Sequence, residues 1–112
     1  MKTKVNKNGN DDDSSVYRRR VQYFQHNYQL TEEEAASAIA LLDAYLPHGY
    51  TRIIVQLAKE QGVIITKQVV RLVKLGKTNN PLLFHLLLEF ASEQKASELD
   101  VRGKIKKNLS GD

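Results

Sequence analysis

Between Thr66 and Leu75 the chain holds Lys67, Arg71 and Lys74, and no acidic residue at all. Spacings of four and three place the three cations on one face of a helix, and a face that is merely solvated usually mixes signs. Thr66 and Gln68 add a hydroxyl and an amide to the same stretch. These are the groups that hydrogen-bond base edges in a major groove or hold phosphate oxygens, so the chemistry they suit is binding to nucleic acid. Lys77, Thr78 and Asn79 follow just beyond Gly76 and supply further donors suited to a phosphate backbone.

The elements that must position this face can be read from local signals. Tyr17, Val21, Phe24 and Tyr28 recur at helical spacing, predicting a first helix that begins near Val16. Thr31 with Glu34 three residues later is a capping box, and Glu32, Glu33 and Glu34 sit where the helix macrodipole favours negative charge. The second helix this opens carries Ala35, Ile39, Leu42 and Leu46 and is stopped by Pro47. A third runs from Tyr50 to a stop at Gly62, and a fourth is capped by Thr66 and ends at Gly76. Asn80 and Pro81 open a Leu-rich fifth helix reaching about Ser97. The expected fold is all-α, a compact bundle of about five helices in one domain over residues 16–98. Residues 1–15 have Val5 as their only apolar side chain after Met1 and are predicted to be a disordered tail. Residues 99–112 are predicted to be a polar, basic tail in which Leu99, Val101, Ile105 and Leu109 are the apolar exceptions.

Two short helices joined by a tight turn containing Gly, with Ala four residues before it, form the arrangement of a helix-turn-helix, here residues 50–76 with Ala58 and Gly62 at the crossing. Val70 and Val73 anchor the second helix from below and leave its cationic side outward. In Ala58 to Val63, in Thr66 to Lys77 and in the Leu-rich helix after Asn79-Asn80-Pro81, the stretch from Leu46 to Lys95 resembles the lambda-repressor or Cro-like helix-turn-helix family of bacteria and their phages. Relative to that family, Ile64 and Ile65 read as an insertion. The resemblance implies double-stranded DNA as the partner and a recognition helix at 66–75. It implies that Gln68 and Arg71 read bases, that Thr66 and Lys67 contact bases or phosphates, and that Lys74, Lys77, Thr78 and Asn79 hold the backbone. It also implies the role of a transcriptional regulator.

Other chemistry finds little support. Without cysteine there is no disulfide, zinc ribbon or thiol nucleophile. His26, His48 and His85 are scattered, with no histidine pair at i,i+4 and no carboxylate at ligand spacing, so no metal site is expected. No nucleophile elbow, phosphate-cradling Gly loop or HExxH is present, and neither an enzyme nor a cofactor is expected. The net charge of +4 suits an anionic partner. No apolar run reaches the roughly 18 residues a bilayer requires, no export segment opens the chain, and the cytoplasm is the expected compartment. Arg18, Arg19 and Arg20 either grip phosphates or form a solvated face paired with neighbouring acids, while Lys2, Lys4 and Lys7 are either a minor-groove arm or an unstructured terminus.

The fifth helix is apolar around most of its girth: Leu82, Leu83, Phe84, Leu86, Leu87, Leu88, Phe90 and Ala91. One core would struggle to bury them all, which predicts a homodimer built on residues 81–97. The competing function class follows from the same helix: a helical protein–protein interaction or dimerisation module with no DNA binding.

Overall fold

A computed structural model describes the backbone of residues 4–110 and the side chains of residues 15–105. Five helices follow one another: α1 Lys4–Tyr28, α2 Glu32–Tyr45, α3 Tyr50–Glu60, α4 Lys67–Lys74 and α5 Pro81–Ser110. Among the described residues there is no strand, so the fold is all-α as expected. None of these helices is long and apolar enough to cross a membrane.

The starts and stops follow from identifiable side chains. The Thr31 hydroxyl accepts the Glu34 N–H at 3.1 Å, and the Glu34 carboxylate accepts the Thr31 N–H at 2.9 Å, completing the capping box of α2. Thr66 caps α4 by accepting the Val69 N–H at 3.2 Å, and Asn80 caps α5 by accepting the Leu83 N–H at 3.1 Å. Gly62 ends α3 in the left-handed region at φ 83°. Its N–H donates to the Lys59 carbonyl and that of Val63 to the Ala58 carbonyl, both at 2.9 Å, satisfying acceptors the helix end would leave orphaned.

Two boundaries differ from the expectation. The helix expected to begin near Val16 starts at Lys4, and the one expected to end near Ser97 continues to Ser110. Neither extension contains a proline, so a helix already fixed by packing meets nothing that breaks it, and one Gly in each costs only about 1 kcal/mol. In α5 the continuation is reinforced by i,i+4 ion pairs, Glu98 to Arg102 at 3.1 Å and Asp100 to Lys104 at 3.3 Å. The side chains of Lys4 and Lys7, and Lys2 entirely, lie outside the described residues.

Packing is organised around the first half of α5. Leu83, Phe84, Leu86, Leu87 and Ala91 are buried within the single chain, and Leu82, Leu88 and Phe90 are partly covered against the same core. Much of the apolar girth that suggested a dimer over residues 81–97 is thus packed against the other helices of the same chain. Tyr28 stacks on Phe84 with centroids 3.9 Å apart, Phe24 meets Phe84 edge-on at 4.9 Å, and the Tyr28 hydroxyl accepts the Asn80 N–H at 3.2 Å. Burial raises the Tyr28 phenol above its ordinary value and outweighs the opposing pull of the Asn80 bond, so the hydroxyl stays neutral.

Arg20 settles one of the open readings. Its guanidinium donates to both Asp43 carboxylate oxygens at 3.0 Å and to the Lys74 carbonyl at 3.0 Å, tying α1 to α2 and to the end of α4. Of the arginine run, Arg18 and Arg19 are exposed and Arg20 is a structural clamp. Gly76, at φ 75°, lies under this clamp, where an added Cβ would stand 3.1 Å from Arg20 Cγ and 3.3 Å from a Phe24 ring carbon. Gly76→Ala therefore combines left-handed strain with a crowded contact. It is expected to cost about 1–3 kcal/mol in chemical denaturation, and a loss under about 0.5 kcal/mol would show that neither constraint is felt.

Candidate functional site

α4 is built to be buried on one side and presented on the other. Val70 and Val73 are fully buried, as are Ile54 and Ala58 of α3, so the two helices share one core. Thr66, Lys67, Gln68 and Arg71 are exposed on the opposite side. The turn between the helices carries Ile64 outward, 79% exposed, consistent with a residue the packing of α3 on α4 does not require.

Beside this face lies a cleft of 610 Å³ formed by the 46–52 segment, Lys67 and Arg71. Both helices begin there. α3 is entered through Gly49 at φ 84°, with no side-chain cap, and Arg52 stands in its first turn; α4 begins with Lys67. Neither first turn contains an acid, and no carboxylate lines the cleft. A cation at a helix N-terminus opposes the macrodipole by roughly 0.3–1 kcal/mol. Two such placements side by side oppose helix stability and favour an anion. The contrast within the molecule is α2, whose first turn is Glu32, Glu33 and Glu34 behind a complete capping box.

Tyr50 forms part of the cleft wall. Burial raises its phenol above the ordinary value, while Arg71 and Arg20 pull it down and Asp43 pushes it up, so its hydroxyl stays protonated at neutral pH. The Lys74 ammonium lies 5.2 Å from the centre of the Tyr50 ring, and Lys74 is half-buried, so this cation is held back from the outer face by a cation–π contact.

The eight residues singled out by sequence divide into groups. Thr66, Lys67, Gln68 and Arg71 surround the start of α4, with Lys67 and Arg71 on the cleft; the Thr66 hydroxyl also serves as the helix cap. Lys77, Thr78 and Asn79 follow the opposite end of α4. There Lys77 and Arg19 line a separate groove of 280 Å³ together with Tyr23 and Leu75. The Gly76-Lys77 turn packs its glycine against α1 and leaves Lys77 exposed. Sequence reasoning missed Arg52 and His48, both in the cleft wall. The available signal was Gly49, a capless helix start followed by a basic residue in the first turn.

The histidines stay apart, on α1, in the 46–49 connection and on α5, and no group of metal-ligating side chains occurs among the described residues. One carboxylate does stand at helical spacing from a histidine: Glu89 lies 3.9 Å from His85, both exposed on α5, and one such pair is too few ligands to hold a metal. Comparison with protein-family models, curated proteins and solved structures finds no match, so the functional reading rests on this geometry.

Proposed function

We propose that this chain binds duplex DNA through a helix-turn-helix made of α3 and α4, with α4 entering the major groove, and that it acts in the cytoplasm as a transcriptional regulator and not as an enzyme. The observation that carries this reading is the acid-free cleft where two helix N-termini meet Arg52, Lys67 and Arg71 beside the exposed side of α4. Phosphates are held where backbone N–H groups, the positive dipole end and cations coincide. Arg52 and Lys67 hold backbone phosphates at this end, Lys77 and Asn79 at the other, and Gln68 and Arg71 reach base edges between them. Thr66 and Thr78 supply hydroxyl donors, and Lys74 contributes field from its place over Tyr50.

This assignment separates reading from holding. Arg71→Ala should remove discrimination worth about 1–3 kcal/mol between a selected site and random duplex, while Lys77→Ala should weaken both alike. The test is to select preferred duplexes from a randomised pool, then titrate both variants on a selected and a scrambled sequence. Equal losses on both sequences for Arg71→Ala would make it a phosphate contact and displace the reading register. Failure to enrich any sequence would remove the specific-regulator reading.

A further inference from the structure

We infer that the projecting half of α5 is a self-association element that pairs antiparallel with the same segment of a second copy. Ala91 is the last buried residue of α5, and from Lys95 to Ile105 every residue is exposed, yet the helix runs on to Ser110. The exposed stretch from Lys95 to Ile105 is about 16 Å of helix at 1.5 Å per residue, and a helix of that length is marginal in water on its own.

The composition of the projection repeats the packed half. Val101, Ile105 and Leu109 follow Leu83, Leu87 and Ala91 by eighteen residues each, which is five full turns. The positions that face the core in the first half therefore recur on the same side in the second. Leu83, Leu87 and Ala91 are all fully buried, whereas Val101 and Ile105 are 50% and 54% exposed. A core-facing stripe is thus reproduced where, among the described residues, Val101 and Ile105 stay half-exposed.

Charge order selects both the occupant and its direction. The acids of the projection, Glu98 and Asp100, precede its bases, Arg102, Lys104, Lys106 and Lys107. Glu98 falls on the apolar stripe itself, between Ala91 and Val101 by helical spacing. A parallel pair would set Glu98 against its own copy in the seam, a like-charge contact with no compensation. An antiparallel pair centred level with Gly103 sets Val101 against the partner's Ile105, and Ile105 against the partner's Val101. It also brings the acidic end of each helix alongside the basic end of the other. The existing Glu98–Arg102 and Asp100–Lys104 pairs are exposed, so exchanging them for intermolecular pairs costs little. The arrangement is isologous and closes at two copies.

The test needs no DNA, so its outcome is separate from that of the DNA reading. Sedimentation equilibrium on the full chain at tens of micromolar is expected to give a dimer, and Ile105→Glu, an exposed position whose change leaves the core intact, is expected to weaken association roughly tenfold or more. Because the chain has no cysteine, orientation can be read by mixing Val101→Cys with Ile105→Cys under mild oxidation and weighing the products. The mixed disulfide should exceed either homodimeric disulfide several-fold. A monomeric wild type, or an Ile105→Glu variant that still dimerises, would overturn the pairing; homodimeric disulfides in excess would overturn the antiparallel direction.

Discussion

Phe24→Ala is expected to lower the free energy of unfolding by about 3–5 kcal/mol, the range for deleting a fully buried aromatic ring. Phe24 has no exposed surface, meets Phe84 and Tyr28 edge-on at 4.9 and 5.9 Å, and carries the ring edge that a Cβ on Gly76 would crowd. Its removal opens a cavity where α1, α5 and the end of α4 meet, beside the stacked Tyr28–Phe84 pair. Against a typical total of about 5–15 kcal/mol, a loss of this size leaves a marginal protein. Urea denaturation followed by circular dichroism measures it. Tyr17→Ala, at a half-exposed position on the same helix, is the control and should change stability by no more than about 0.5 kcal/mol. A Phe24→Ala loss below about 1 kcal/mol would mean that α1 is not integral to the core.

Reversing both cleft cations of α4, Lys67→Glu with Arg71→Glu, is expected to weaken duplex DNA binding by roughly 100-fold or more, since each lost contact is worth about 1–3 kcal/mol and the new carboxylates repel phosphate. The fold should not suffer. Lys67 opens α4, where a carboxylate suits the macrodipole better than an ammonium, so Lys67→Glu alone should leave stability unchanged or raise it by about 0.3–1 kcal/mol. Opposite signs for stability and affinity at one residue would mark a charge kept for a partner. A folded double variant that binds as well as the wild type would remove Lys67 and Arg71 from the interface.

Much of the fold was legible because its boundaries are set by local chemistry. Thr31 with Glu34, Thr66, Asn80 with Pro81, Gly62 and Gly76 are caps and stops whose side chains or φ angles act within a few residues. The outer ends of α1 and α5 were not legible, because polar composition argues against a core contact and says little about a helix continued from a packed neighbour. The burial of the Leu-rich stretch of α5 was also hidden. Helical spacing shows that Leu83, Leu86, Leu87 and Phe84 point several ways, but only the tertiary arrangement reveals that other helices receive them. Arg20 could not be told from Arg18 and Arg19 by sequence, since Asp43 and the Lys74 carbonyl approach it from helices distant in the chain. The exposed set on α4 could be listed from its spacing. Its division into a cleft group and the Lys77 group, and the addition of Arg52, depend on where α3 begins relative to α4.

On the proposed reading, the acid-free face of α4 and its adjoining cleft bind the phosphate-rich surface of duplex DNA. Fluorescence anisotropy with a labelled mixed-sequence duplex, titrated at several salt concentrations, tests it most directly. Each phosphate neutralised adds about −0.9 to the slope of log K against log salt, so three contacts imply a loss of roughly 40-fold between about 50 and 200 mM. The expected result is saturable binding by micromolar protein at low salt, with at least that steepness, and a clear loss of both affinity and slope in the Lys67→Glu, Arg71→Glu variant. No anisotropy change at low salt, or binding indifferent to salt and to these two residues, would mean that this face does not bind DNA.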